Sequence, residues 1–381
     1  MQTILRLILL TAMLLTYTGI AICGEVTYLF IGTYTNGKPG KGIYIFRFDV
    51  QTGNLKFVSS GSDITNPSFI TLNHTGNYLY ACTESLTQNA GGISSFAFDS
   101  LKGSISFINK QSSDGENPVY VTVDKNDTWL INGNYTQPTI SARRINADGS
   151  IDITSEVINF IDKSIGKRQK TAHIHATVFS PEGSRLFAPD LGADKIRIFT
   201  FEKDNIVPLR IPSKSFVRTT AGGGPRHFTF HPNGRFGYCI EELSGTLSAY
   251  NYLQDSLILI QNISSYSKPN KVYSSADIHI SPDGLFLYAS NRLSENTISI
   301  FSIDTITGKL TLKGHQPTNG EHPRNFTIDP TGNFILVANQ LSSSIVVFKR
   351  DKQTGLLSDI DVQIKVPSPS CLLMRTYNIQ D

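Results

Sequence analysis

The stretch that decides the fold is Asp277-Ile278-His279-Ile280-Ser281-Pro282-Asp283-Gly284, in which an alternating segment runs into a Pro-x-Gly turn. A second apolar run, residues 285–289, follows directly. Alternation with period two is typical of β-strands, and a glycine that ends a short turn supplies the positive φ that a tight connection needs. The stretch therefore predicts two antiparallel strands joined by a tight turn.

The same pattern recurs along the chain. Clear copies lie at 178–183, 226–234 and 324–332, and weaker ones carry their turns at 73–76 and 124–127. Aligning the turns gives one anchor position per copy, and the seven anchors are Pro67, Pro118, Ile174, Pro225, Ser275, Pro323 and Pro369. The spacings are 51, 56, 51, 50, 48 and 46 residues. Strand repeats of about 50 residues are typical of propellers, so we predict an all-β, seven-bladed β-propeller.

The two chain ends predict how the ring closes. Residues 28–34 begin in the middle of the pattern and match residues 79–84, with no first strand ahead of them. Residues 369–373 have the character of that missing strand. We therefore expect one blade to be shared between the termini, which removes an open sheet edge. Residues 24–381 are predicted to form this single domain.

The first 23 residues have the character of a secretory signal peptide. Arg6 precedes an apolar run, residues 7–15, and small residues follow up to Cys23. This order predicts cleavage after Cys23 and export to the periplasm or the exterior. A membrane anchor is the alternative, but the run is short for a span. A lipid on Cys23 fits less well, because Ile22 precedes it. The sequence after residue 23 contains no run of 18 apolar residues, so no membrane span is expected in the mature chain.

Composition excludes several classes of protein. Of the 381 residues, 39% are hydrophobic, which is enough for a core and excludes wholesale disorder. Lys and Arg number 34 against 31 Asp and Glu, and this surplus of three charges gives no sign of a nucleic-acid partner. Once Cys23 is removed, three cysteines remain, so no disulfide framework is expected. We expect a monomer that acts on a small molecule.

Two registers of the repeat hold the candidate site. The residue after each anchor enters the innermost strand, and these residues are Ser68, Val119, His175, Arg226, Ala276, Arg324 and Ser370. The second register, where the second strand ends, contains Tyr34, Glu84, Tyr135, Leu191, Glu242, Arg292 and Gln340. Both should face the same end of the central channel. Titratable groups gathered at a concave mouth indicate a site, although a polar ring there can also be merely solvated.

From these registers, and from His173 and His227 beside them in the sequence, we assign candidate roles. The predicted catalytic residues are His175, Arg226, Glu242 and Arg292. The predicted substrate-binding residues are Tyr34, Glu84, His173, His227, Arg324 and Gln340. His173 and His175 share a strand face and could approach one metal ion, but no third ligand has a diagnostic spacing. We therefore favour structural histidines over metal ligands for this pair, and we expect no metal and no other cofactor.

The chain contains a set of motifs that are specific when taken together: Gly32-Thr33-Tyr34-Thr35, His173-Ile174-His175, residues 189–196, Gly224-Pro225-Arg226-His227, Glu242-Leu243 and residues 281–284 with Ala289-Ser290-Asn291-Arg292. This set resembles the lactonase family of seven-bladed propellers, which includes the propeller-type 6-phosphogluconolactonases and the fungal carboxy-cis,cis-muconate cyclases. The resemblance runs from about Tyr28 to Leu373. From the cyclase pattern it implies that His175, Arg226, Glu242 and Arg292 form the active site.

The expected chemistry is hydrolysis of a sugar-acid lactone, as in the 6-phosphogluconolactonases. Glu242 or His175 would activate water, and Arg226 and Arg292 would hold an anionic substrate and stabilise the oxyanion. Two alternatives stay open: a non-catalytic propeller that binds a glycan or protein, and a lactone-forming enzyme of the cyclase kind. Export conflicts with 6-phosphogluconolactone, which arises in the cytosol, so an exported enzyme would act on another lactone.

Overall fold

Seven antiparallel sheets are arranged as the blades of a ring in the computed structural model, which describes residues 24–36, 40–61, 63–85, 90–253 and 256–379. The predicted signal segment, residues 1–23, lies outside the described residues. Six blades have four strands, and the fourth blade has a fifth strand that pairs beside its outer one. The predicted all-β, seven-bladed propeller is confirmed.

Each blade runs outward from the central channel. The innermost strands are β4 (Ile70–Leu72), β8 (Pro118–Val123), β12 (Val178–Phe179), β17 (Pro225–Phe230), β21 (Ser275–Ile280), β25 (Pro323–Ile328) and β29 (Pro369–Ile379). The second strands are β1 (Gly24–Thr33), β5 (Tyr78–Thr83), β9 (Trp129–Asn134), β13 (Arg185–Asp190), β18 (Phe236–Glu241), β22 (Phe286–Asn291) and β26 (Phe334–Asn339).

The other strands complete the blades. The third strands are β2 (Ile43–Phe48), β6 (Gly92–Asp99), β10 (Thr139–Arg144), β14 (Lys195–Phe201), β19 (Thr246–Leu253), β23 (Thr297–Ile303) and β27 (Ser344–Arg350). The outer strands are β3 (Leu55–Gly61), β7 (Ser104–Ser112), β11 (Glu156–Asn159), β15 (Leu209–Arg210) with β16 (Phe216–Arg218), β20 (Ser256–Ser264), β24 (Leu310–Pro317) and β28 (Leu357–Lys365). Blade 1 contains β29, β1, β2 and β3, and blades 2 to 7 follow in chain order.

Burial follows from stacking each blade between two neighbours. Every residue of β9, β18, β22 and β26 is buried, whereas in the outer strand β28 all residues after Leu357 are exposed or only partly buried. In the described chain the core consists of seven apolar clusters, and each lies between one pair of adjacent blades. One of them packs Leu29 and Ile31 of blade 1 against Leu336 of blade 7, so the ring is closed.

The predicted turns form as expected. Gly284 has φ 73°, and its N–H donates to the carbonyl of Ser281 at 2.8 Å. In five other blades the turn between the first two strands has the same hydrogen bond, from an N–H to the carbonyl three residues earlier. Its donors are Gly76, Asp127, Gly183, Gly234 and Gly332, all with positive φ. Asp127 replaces glycine because a short polar side chain tolerates this conformation.

The chain termini close the ring as predicted. Strand β1 pairs antiparallel with β29 from Gly24 opposite Ile379 to Thr33 opposite Pro369. The described cysteines are buried free thiols, in agreement with the absence of a disulfide framework. Across residues 24–379, short gaps apart, no helix has the length and apolar character that crossing a membrane requires.

Candidate active site

One backbone contact, repeated in every blade, brings the two predicted registers together. The residue that follows each second strand donates its N–H to the carbonyl of the residue before the anchor, at 2.8–3.1 Å. The seven donors are Tyr34, Glu84, Tyr135, Leu191, Glu242, Arg292 and Gln340, and the acceptors are Ser368, Asn66, Asn117, His173, Gly224, Ser274 and His322. Side chains from all seven blades therefore meet at one end of the channel.

A bulge directs the first register. Pro225 pairs with Glu241 and His227 with Ile240, so Arg226 is an extra residue outside the ladder. Arg324 occupies the same position between Pro323 and Asn325. Bulges re-aim side chains, which explains how a strand residue comes to face the mouth. In blades 2 and 4 the innermost strands begin at Ile70 and Val178, a few residues after the anchors Pro67 and Ile174 at which they were predicted to begin.

Glu242 is the centre of a three-arginine cluster. Its Oε2 lies 3.1 Å from Nε of Arg226 and 3.0 Å from Nη2 of Arg292. Its Oε1 lies 2.6 Å from Nη1 of Arg168. Burial alone would raise the pKa of Glu242, but the guanidiniums of Arg292, Arg226 and Arg168 outweigh it and hold that pKa at about 2. Glu242 is therefore a fixed anion at neutral pH.

Arg226 and Arg292 are buried and tightly held. Arg226 donates through Nη1 to the carbonyl of Ala276 at 2.6 Å, and the same atom lies 3.1 Å from Nε2 of His227. Arg292 donates to the carbonyls of Ser274 and Ser275, each at 3.1 Å. Among the described residues, Nη2 of Arg226 has no hydrogen-bond partner, so it remains available as a donor.

His175 lies beside this cluster in the neighbouring blade. It is 5% exposed, its ring centroid is 5.4 Å from that of His227, and Nδ1 has no described hydrogen-bond partner. Burial, with Arg226 and His227 close by, lowers the pKa of His175 well below its ordinary 6.5. The imidazole is therefore neutral at pH 7 and carries a lone pair.

The opposite side of the mouth holds a second group of predicted residues. Tyr34 donates its hydroxyl hydrogen to Oε2 of Glu84 at 2.6 Å. Arg324 lies over the Tyr34 ring, 5.2 Å from its centroid, and 3.9 Å from Glu84. Within the described chain, the Arg324 guanidinium makes no hydrogen bond, although its side chain is only 18% exposed. It is the cation here that is best placed to receive an anionic ligand.

Other predicted residues lie around these groups. His173 stacks on Tyr135, with ring centroids 4.2 Å apart, and its Nδ1 contacts the Tyr135 carbonyl at 2.7 Å. Gln340 occupies its register position, but its side-chain amide forms no hydrogen bond with any described residue. No three His, Cys, Asp or Glu side chains in the described ranges come together as metal ligands.

Arg168 is a site residue that the two registers do not contain. It lies on residues 160–172, which bridge blades 3 and 4, and it contacts both Glu242 and the Tyr135 hydroxyl. The buried Gln169 fixes this segment by donating to the carbonyl of Leu191 at 2.8 Å. The one signal in the sequence is the long spacing of 56 residues between the second and third anchors.

His322 and Asp277 were also missed. His322 has a φ of 62° and lies immediately before the anchor Pro323. Its Nε2 lies 3.3 Å from Nη1 of Arg292. Asp277 is buried beneath the mouth, where it contacts His227 at 2.7 Å and His279 at 2.9 Å. Both histidines therefore pair with the same carboxylate.

At the mouth as a whole, Arg168, Arg226, Arg292 and Arg324 face the carboxylates of Glu84 and Glu242. The surplus of two positive charges suits an anionic ligand.

Comparison with known proteins agrees with this architecture. The family model described as lactonase, 7-bladed beta-propeller, matches residues 28–374. A 6-phosphogluconolactonase of Formosa agariphila is 44% identical over 92% of this chain and all of that protein. One from Bacillus subtilis is 31% identical over 90% of this chain and 97% of that protein. The structure of the Pseudomonas aeruginosa periplasmic gluconolactonase superposes with a TM-score of 0.87 at 31% identity, covering 92% of this chain and 99% of that one. The chain therefore belongs to the lactonase family of seven-bladed β-propellers.

Proposed function

We propose that the protein hydrolyses the ring ester of a sugar-acid lactone, and that an anionic lactone is its preferred kind of substrate. For an exported enzyme the natural substrate would be an acidic lactone other than 6-phosphogluconolactone, which here serves as the phosphorylated test compound. The observation that carries this proposal is the buried cluster in which Arg226 and Arg292 share Glu242 beside the neutral His175. The relatives named 6-phosphogluconolactonase support the same reaction.

The arginines supply the electrostatic part of the reaction. Attack of water on the lactone carbonyl places negative charge on the carbonyl oxygen, and preorganised donors stabilise that charge most in a buried site. Nη2 of Arg226, which has no hydrogen-bond partner among the described residues, is such a donor. Glu242 holds Arg226 and Arg292 in place, so the donors need little reorganisation as the charge develops.

His175 is the better candidate for the general base. A base needs a lone pair that is free to accept a proton, and both Glu242 oxygens are paired with guanidiniums, which hold its pKa at about 2. His175 is neutral at pH 7 and offers a lone pair. In this mechanism the water oxygen bonds to the carbonyl carbon, its proton passes to His175, and the ring oxygen leaves and takes up that proton.

Arg324 is proposed to bind the anionic group of the substrate. Its guanidinium lacks hydrogen bonds to described residues and lies at the far side of the mouth from His175. The phosphate of 6-phosphogluconolactone would complete its hydrogen bonding, whereas gluconolactone carries no charge there. Arg324→Ala should therefore raise KM for the phosphorylated lactone more than for gluconolactone.

The test is lactone hydrolysis by residues 24–381, followed as proton release with 6-phosphogluconolactone, gluconolactone and a muconolactone, each against its spontaneous rate. Arg226→Ala should lower kcat by about 100-fold, the usual effect of losing one oxyanion donor. A matched control is Arg350→Ala, because Arg350 is equally buried but pairs with Asp283 in a turn away from the mouth.

Wild-type turnover that falls in Arg226→Ala and survives in Arg350→Ala is the expected result. No turnover with any lactone would overturn the proposal and favour the binding propeller. Muconolactone turnover alone would favour the cyclase-like alternative.

We also propose that the protein is exported. Residues 1–23 have the signal-peptide pattern, and one structural relative is described as periplasmic. Expression of the full chain in a bacterial host should give a periplasmic or secreted product that begins at Gly24. A cytosolic product that retains Met1 would contradict export.

A further inference from the structure

We propose that Asp277, acting through His227, is a positioning residue that holds the Arg226 guanidinium in its reactive orientation; this inference rests on the proposed role of Arg226 in lactone hydrolysis. The three residues form a chain of direct contacts. Asp277 Oδ1 lies 2.7 Å from His227 Nδ1, and His227 Nε2 lies 3.1 Å from Arg226 Nη1. All three are at most 7% exposed.

The contacts determine the tautomer of His227. Arginine has only donors, so His227 Nε2 must present its lone pair to Arg226. The ring proton therefore lies on Nδ1 and is donated to Asp277. Burial and the nearby Arg226 lower the pKa of His227 to about 4, so the ring is neutral at pH 7. As a neutral acceptor with a fixed tautomer, His227 aligns the guanidinium rather than contacting substrate.

Asp277 is itself fixed by donors on every side. Its Oδ1 also accepts from the N–H of Ile278 at 3.0 Å. Its Oδ2 accepts from the side-chain amide of Asn325 and contacts His279 Nε2 at 2.9 Å. Asn325 cannot reverse its amide without loss, because its Oδ1 accepts the N–H of Leu372 at 2.6 Å. Both side-chain oxygens at position 277 must therefore act as hydrogen-bond acceptors.

The same three positions reveal a third register of the repeat. His227, Asp277 and Asn325 each lie two residues after their anchors, in the consecutive blades 5, 6 and 7. Their side chains form one connected path directly beneath the arginine cluster. The path joins the reactive guanidinium to three blades, which gives it a rigid foundation.

Asp277→Asn should break this path. If its amide nitrogen takes the Oδ2 position, it faces the Asn325 donor. If it takes the Oδ1 position, it faces the N–H of Ile278, and His227 must move its proton to Nε2, where it opposes Arg226. The first arrangement keeps the acceptor for His227 Nδ1 but sets the new amide against Asn325, and the second removes that acceptor. In both arrangements the imidazole is held less firmly against Arg226.

The experiment is a double-mutant cycle on residues 24–381 with Asp277→Asn, Arg226→Ala and the combination, measured as kcat and KM for lactone hydrolysis. Asp277→Asn should lower kcat by about 10-fold to 100-fold, by analogy with the loss of a hydrogen-bond partner behind a metal ligand, with a smaller change in KM. In the Arg226→Ala background it should have no further effect. Asp329→Asn is the matched control, because Asp329 is equally buried but accepts backbone N–H groups in a turn at the opposite end of its strand.

Two outcomes would overturn the proposal: a loss in the double variant that is the product of the two single losses, or equal losses in Asp277→Asn and Asp329→Asn. If Asp277→Asn does not fold, His227→Asn serves instead, since its amide can still donate to Asp277 but cannot reach Arg226. It should also be without effect in the Arg226→Ala background.

A second readout needs no turnover. Nitrogen-15 NMR of labelled histidine should show His227 protonated on Nδ1 in the wild type. In Asp277→Asn, the hydrogen bond of this proton should be weakened or the proton should move to Nε2. Wild-type protein without lactonase activity would refute the proposed function, and the tautomer would still test the positioning contact. Protonation of His227 on Nε2 in the wild type would refute that contact alone.

Discussion

Replacing Glu242 by glutamine should destabilise the protein strongly, whereas the same replacement at Glu241 should not. The two residues are adjacent, and both are at most 4% exposed. The Glu242 carboxylate is paired with three guanidiniums, whereas the Glu241 carboxylate accepts hydrogen bonds from the hydroxyls of Ser248 at 2.7 Å and Ser244 at 3.1 Å. Burial raises the pKa of Glu241, so its charge is unfavourable in the folded protein.

The magnitude follows from the pKa of Glu242. Its ordinary value of 4.5 falls to about 2 in the folded state. At about 1.36 kcal/mol per pKa unit, the charged form contributes about 3 kcal/mol to the free energy of unfolding at pH 7. Removing one partner of a buried pair costs a similar amount, about 3–5 kcal/mol. For 381 residues, an unfolding entropy of about 2.1 cal/mol/K per residue converts 3 kcal/mol to about 4 °C in Tm.

Calorimetric melts between pH 2 and 8 test this directly. Because the folded pKa lies below the unfolded one, the Glu242 contribution is complete above about pH 4.5 and is lost as the pH falls towards 2. Glu242→Gln should lack this component, and its Tm at pH 7 should lie about 4 °C below that of the wild type. Glu241→Gln should melt at or above the wild-type temperature. Equal Tm values for the two variants would refute the reasoning.

Two further predictions concern the pH profile and Arg168. Because burial and Arg226 lower the pKa of His175, kcat/KM should stay level from pH 8 down through 6.5 and fall only at lower pH. A decrease in kcat/KM centred at or above pH 6.5 would exclude His175 as the base. Arg168→Gln should raise KM for 6-phosphogluconolactone several-fold. It should cost less than about 1 kcal/mol in stability, because the Arg168 side chain is 54% exposed. Lys170→Gln on the same segment is the control, and an unchanged KM in Arg168→Gln would remove Arg168 from substrate binding.

The repeat explains how much of the fold and site could be predicted from sequence. Turn glycines and alternating strands are local signals, so seven blades and their closure follow from counting copies. The repeat also identifies equivalent positions, and chemical differences at those positions select Arg226, Glu242 and Arg292 from the sequence alone. Physical proximity of the two registers then depends only on the common blade geometry.

The missed residues depend on information that local patterns do not carry. Arg168 lies in a segment that has no counterpart in the other blades, so only the irregular spacing pointed to it. Asp277 looks like an ordinary polar residue on a strand, and its importance arises from side-chain contacts with His227 and Asn325 in neighbouring blades. A comparison of the third register across blades would have placed these three side chains together.

The pairing of β1 with β29 also governs when the protein can fold during synthesis. The Thr27 hydroxyl bonds to that of Thr376, 349 residues later. At about 5 to 20 residues per second, roughly 20 to 70 seconds separate the translation of the two strands. For that time blade 1 has an unpaired inner edge, and the ring stays open to solvent and to chaperones. A circular permutant that joins the present ends and opens a loop between two complete blades would make β29 and β1 consecutively, so the inner edge of blade 1 should be exposed for less time and the protein should aggregate less.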